Sequence, residues 1–352
     1  MTDSISTASR RSFLAGAATL VAAPMVLGSR RAAAKSDSVT IVNFGGSYQE
    51  ATIKAVIDPF TKETGIKVSI VPYPGLDKIK AMQLTGNVDI DILLGGGSTL
   101  ASGSRRGFLE KLDHSLFDLQ DLLIQPKSDY VVFEVYSQGV AWDPAKHVDK
   151  RPATFVDFFD RKNFPGRRCF NKTSPANTME IALLGDGVAP KDVYPLDVDR
   201  AFKVLDRIKS SVVWAGTVTQ VTSFVQTGEV DFSAAFGNRV KATTEPGGGK
   251  PLAFSFEQNT INSDCLGILK GAPNKENATK LIAYYLRPEV QARLYNLVGL
   301  TPGSKKAATM LSGEARKWLP DLNNPANHVI DDDYWADNFE AINLRFQEWL
   351  LT

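Results

Sequence analysis

The 352 residues hold only two cysteines and three histidines. Cys169 and Cys265 are too few for a disulfide scaffold or a four-thiolate zinc site. They lie 96 positions apart, and the sequence leaves open whether they pair or sit separately as small buried residues. His114, His147 and His328 show neither HxxxH nor HxH spacing, so no metal site is expected and no catalytic histidine stands out. An excess of one charge is also missing: 40 Lys and Arg face 39 Asp and Glu. That balance excludes an all-basic nucleic-acid binder. A chain that is 43% apolar and 22% charged is neither disordered nor collagen-like. Past residue 34 no apolar run reaches the roughly 18 residues of a membrane span. No G-x-S-x-G is present, and 247–251 (GGGKP) lacks the spacing of a phosphate-binding loop.

What is present begins with an export signal. Ser9, Arg10, Arg11, Ser12, Phe13 and Leu14 precede a moderately apolar stretch over 15–27 and then Ala32, Ala33 and Ala34. The form resembles the bacterial twin-arginine type, with cleavage after Ala34. Cleavage takes away four arginines and Asp3, moving the formal charge from +1 to −2. The mature chain is expected outside the cytoplasm, in the periplasm.

The length suits two domains. From Val39 onward short apolar runs alternate with amphipathic stretches. Strands are expected at 39–44, 67–71 and 91–94, with helices after the first and over 76–84, and Gly65 as a helix stop. The run 130–142 (YVVFEVYSQGVAW) is long, extended and without a helical period. A second series follows, with helices near 154–160, 175–184, 198–209 and 218–227 and strands at 168–171 and 230–236. Another extended run, 262–269, precedes helices over 275–286 and 288–297, and a last helix covers 334–350. Alternation of this kind argues for parallel sheets covered by helices. Two extended runs separating two series describe a chain that leaves one lobe, builds a second and returns, with a ligand cleft between them.

Four stretches in order resemble the spermidine/putrescine-binding group of periplasmic solute-binding proteins (extracellular family 1). They are 60–68 (FTKETGIKV), 228–231 (GEVD), 262–269 (NSDCLGIL) with 273–278 (PNKENA), and 286–290 (LRPEV) with 299–302 (GLTP). The resemblance implies an α/β, two-lobe periplasmic-binding-protein fold: two parallel or mixed sheets flanked by helices and joined by a two-strand hinge. After the signal at 1–34, lobe 1 would comprise 35–140 and 267–312, lobe 2 would be 141–266, and 313–352 would form a C-terminal helical extension. It further implies a monomer that captures a small amine-bearing solute by hinge closure and hands it to an inner-membrane ABC permease. No cofactor, metal, catalytic residue or nucleic-acid partner is expected.

The family's amine-binding aspartate matches Asp264, placed just before the returning hinge strand. First-lobe ligand loops match 44–48, 95–99 and 136–139, which contribute Ser47, Tyr48, Gly97, Ser98, Thr99 and Ser137; helix N-termini there suit an anionic group. Three departures bear on the ligand. Phe236 replaces a family tryptophan, Asn262 stands where an aromatic often sits, and 173–177 (TSPAN) replaces an acidic pair. Arg239 stands beside the cleft and suits a carboxylate or phosphonate, so Asp264 and Arg239 together would fit a zwitterion such as 4-aminobutyrate. Glu134, an acidic residue in an apolar strand, either faces the cleft as a second amine contact or faces solvent. Polyamines, zwitterions, aminophosphonates and thiamine-like cations all stay open. So do a ferric-ion-binding relative and an exported enzyme on the same architecture; Tyr284 and Tyr285 resemble the adjacent tyrosines of ferric-ion binders, but their place in an apolar helix ahead of 286–288 (LRP) assigns them to core packing.

Overall fold

Short β-branched runs bounded by glycine and proline form strands, and the amphipathic stretches between them cover the strand faces. The computed structural model describes residues 37–352 apart from Ser174. The export signal expected over 1–34 lies outside the described residues. The strands are β1 (Ser38–Val42), β2 (Lys67–Val71), β3 (Ile92–Gly96), β4 (Tyr130–Trp142), β5 (Arg168–Asn171) and β6 (Val212–Ala215). They continue with β7 (Phe232–Phe236), β8 (Ala253–Phe254), β9 (Thr260–Ile268), β10 (Thr301–Pro302) and β11 (His328–Val329).

Their order is β2-β1-β3-β9-β4-β7-β5-β6, with β8 and β10 added to β4 and β11 to β9. At one end β1 pairs in parallel with β2 and β3; at the other β5 pairs in parallel with β6 and β7. Between the ends β9 runs antiparallel to β3 and β4, and β4 runs antiparallel to β7. Two expected sheets are therefore joined into one hydrogen-bonded path, because β4 and β9 belong to both.

One apolar cluster gathers Val39, Ile41, Phe60, Phe133 and Tyr285 at the first end. Another gathers Phe155, Phe158, Phe170 and Trp335 at the second. The last helix, Asp332–Leu351, is tied to both. Trp335, Ile342 and Phe346 enter the second cluster, while Asp333, Asp337 and Glu340 pair with Arg105 and Arg106. Cys169 and Cys265 are both free and buried. No helix of the described residues is long and apolar enough to cross a membrane.

Most boundaries fall within a few residues of the sequence reading, and Gly65 ends its helix at φ 73° as a left-handed cap should. The differences have local causes. Strand β6 was not read: it is four residues long, at the sheet edge, and mostly half-buried, so it shows neither alternation nor a buried run. Helix Pro175–Gly185 is broken at Ala176 and Asn177, and Asn177 has φ 70°. The last helix starts two residues before 334, where Asp331 accepts the Tyr334 N–H.

Candidate functional site

The two central strands carry the charges of the site. Across the β4–β9 ladder Glu134 stands opposite Asp264, and across β3–β9 Gly96 does the same. The β4 ladder slips between Val132 and Glu134, and beyond the slip Glu134 and Tyr136 face one cavity of about 250 Å³. Gly96 lines the same cavity, and a Cβ there would stand 3.9 Å from both Asp264 Oδ1 and the Tyr136 hydroxyl, in ordinary contact with each. From the first end come Phe44 and Tyr48; from the second come Val218, Phe236, Asn238 and Arg239; Leu300 completes the wall. The aromatic rings pair as Phe44 with Tyr48, at 5.6 Å between centroids, and Tyr136 with Phe236, at 5.4 Å and edge-on. They give the cavity apolar walls around a charged floor.

Glu134 is fully buried and Asp264 nearly so. The Tyr48 hydroxyl donates to Glu134 Oε2 at 2.9 Å. Burial pushes Glu134 well above the usual carboxylate range, and the charge of Asp264 adds to it. Burial also raises Asp264 to about 7; Asp332 adds to that shift, while a hydrogen bond with Glu134 and the charge of Arg239 oppose it.

Arg239 is held by the first turn of helix Gly237–Thr244, directly after β7. Among the described residues no carboxylate lies within ion-pair distance of its guanidinium. Burial pulls its pKa down, and Tyr48, Asp264 and Glu134 oppose that shift. It also lines a neighbouring cavity of about 490 Å³ with Ser47, Tyr48 and Asn238. The smaller cavity thus offers a carboxylate, an uncommitted guanidinium and aromatic surface, the parts needed to hold a small charged solute by both ends.

Residues 55–320 match the family of bacterial extracellular solute-binding proteins. The chain belongs to that family. This solute-binding protein is 31% identical over 330 residues to the gamma-aminobutyric acid-binding protein of Pseudomonas aeruginosa, covering 90% of this chain and 92% of the relative. It is 21% identical to the spermidine/putrescine-binding periplasmic protein of Escherichia coli, over 94% and 95% of the two chains. Among solved structures, the Atu4243–GABA receptor superposes with a TM-score of 0.82 at 31% identity, over 89% of this chain and 97% of the other. The fold is that of the periplasmic binding proteins.

Of the residues read from sequence, the solute-binding protein brings Asp264, Arg239, Phe236, Tyr48 and Glu134 into one cavity. Ser47 lines only the neighbouring one. Ser137 is buried and lines neither cavity; a Cβ on Gly237 would stand 3.3 Å from its hydroxyl. Gly97, Ser98 and Thr99 do not line the cavity either. The N-terminus of their helix is already occupied, because Asp332 accepts the Ser98 N–H and the Ser263 hydroxyl, the latter at 2.9 Å. A side chain on Gly97 would collide with that carboxylate.

Asp264 lies inside β9 rather than ahead of the returning strand. Asn262 and Asn177 hold each other through reciprocal amide hydrogen bonds of 3.1 and 2.9 Å. They fill the positions where the resemblance places an aromatic and an acidic residue. Tyr284 and Tyr285 are buried in the first apolar cluster. Phe44, Gly96 and Tyr136 fall inside the stretches read as ligand loops but were not named among their contributing residues, and Asn238, Val218 and Leu300 were not read as site residues. Tyr136 was within reach, two residues from Glu134 and so on the same strand face; Val218 and Leu300 carry no local signal.

Proposed function

We propose that this protein captures a small zwitterion, of the 4-aminobutyrate kind, with Asp264 holding the ammonium and Arg239 the carboxylate, and delivers it to an inner-membrane ABC permease. One observation carries the reading: an arginine with no ion-pair partner among the described residues shares a cavity with the buried carboxyl of Asp264. The Arg239 charge would repel a diamine, whereas a carboxylate meets a planar donor fork. The similarity to a gamma-aminobutyric acid-binding protein points the same way. Polyamine binding is the second reading, favoured by the two acidic side chains Glu134 and Asp264. Ligand would draw lobes 35–140 with 267–312 and 141–266 together about β4 and β9. The protein would work as a monomer, exported by the twin-arginine route and cut after Ala34. Replacing Arg10 and Arg11 together by Lys should then leave precursor in the cytoplasm, and normal periplasmic recovery would contradict the route.

Titration calorimetry with 4-aminobutyrate tests the ligand assignment. Removing one partner of a desolvated charge pair costs about 2–5 kcal/mol, or roughly 30- to several-thousand-fold in affinity. Asp264→Asn should show that loss with no fall in its ligand-free melting point. Wild-type affinity in Asp264→Asn would sink the assignment.

A further inference from the structure

Two carboxyl groups that face each other across a ladder cannot both be naked anions without a cation between them. Glu134 and Asp264 are such a pair, one fully buried and the other nearly so. Tyr48 serves one oxygen of Glu134, and the other, Oε1, is buried with no donor among the described residues. The groups around the pair do not supply the missing positive charge. Tyr48, Tyr285 and Tyr295 approach Glu134 from three helices, and burial keeps each of them a neutral phenol. Tyr136 and the Cys265 thiol, on the strands themselves, are likewise held neutral by burial. Asp332, from the last helix, adds negative charge. Arg239 is the one nearby cation among these groups, and it makes no ion pair with either carboxyl.

We infer that Glu134 and Asp264 hold one shared proton in the ligand-free cleft, so that the cavity offers a single negative charge beside Arg239 and selects solutes with one ammonium group. The inference rests on the zwitterion reading for its ligand and deepens it. Glu134 is then a specificity residue rather than a second ionic contact. A Glu134 carboxyl donates its proton to Asp264 and accepts from Tyr48, which satisfies the oxygen left without a donor. One ammonium meets one carboxylate, and the proton stays. A diamine would need the second carboxylate, so the shared proton would have to leave as it bound, and its affinity would fall accordingly.

Carboxyl-carbon NMR of the unliganded protein, with Glu134→Gln for assignment, tests the pair directly. At about pH 8, one carboxyl should remain protonated and its signal should vanish in Glu134→Gln. Two ionised carboxylates at that pH overturn the inference. Calorimetry with 4-aminobutyrate, in two buffers of different ionisation enthalpy at about pH 8, then counts protons moved on binding. Close to none is expected, and release of a full proton also overturns it. If NMR shows the retained proton while 4-aminobutyrate gives no binding heat, the zwitterion reading fails and the proton-sharing pair stands.

Discussion

Asp264 sits where burial raises its pKa to about 7, and an ammonium ion can be held there only once that proton has left. The folded-state value lies above the ordinary carboxylate value of about 4, so the folded protein binds this proton more tightly than the unfolded chain. The associated stability is present below about pH 4 and is lost as the pH rises through about 7. Asp332, raised to about 6 by burial, acts in the same direction. An ammonium ligand acts oppositely, because it prefers the ionised form. The melting shift produced by a fixed concentration of 4-aminobutyrate should therefore be larger at about pH 8 than at about pH 5.5, while the ligand-free melting point declines over the same interval. Equal ligand-induced shifts at the two pH values would show that Asp264 does not hold the ammonium.

At the scale of elements, β4 and β9 were legible because thirteen and nine consecutive residues with no helical period leave little but a long buried strand. Their pairing was not. Register across the ladder sets Glu134 opposite Asp264, and nothing local to either strand encodes which residue of the other it will meet. The last helix was readable as a helix and unreadable as a tether, since its partners lie far away in sequence. Trp335 shows the difference. Its ring is fully buried, and its Nε1 donates to Glu180 Oε1 at 2.5 Å. Trp335→Ala should cost about 3–5 kcal/mol in urea unfolding. Trp335→Phe, which keeps an apolar ring but leaves Glu180 short of a donor, should cost less, about 1–3 kcal/mol. Equal costs in the two variants, which both lose the Nε1 donor, would mean that the hydrogen bond and not the packing holds the helix.

For the whole molecule, a ligand gripped by a residue of β9 and a residue at the start of helix Gly237–Thr244 links the central strands to the second end of the sheet. On the proposed assignment, capture would consist of closing that span. Small-angle scattering should show the radius of gyration fall when 4-aminobutyrate is added to wild type and stay constant with Asp264→Asn. A fall of the same size in both would separate closure from the charged contact. The zwitterion account stands or falls on Arg239, because that residue is the one placed to meet the ligand's anionic end. The decisive measurement is the ratio of affinities for 4-aminobutyrate and putrescine, by calorimetry, in wild type and in Arg239→Gln. The ratio should drop by roughly 30-fold or more, with 4-aminobutyrate weakened and putrescine unchanged or slightly improved. An unchanged ratio would contradict the account.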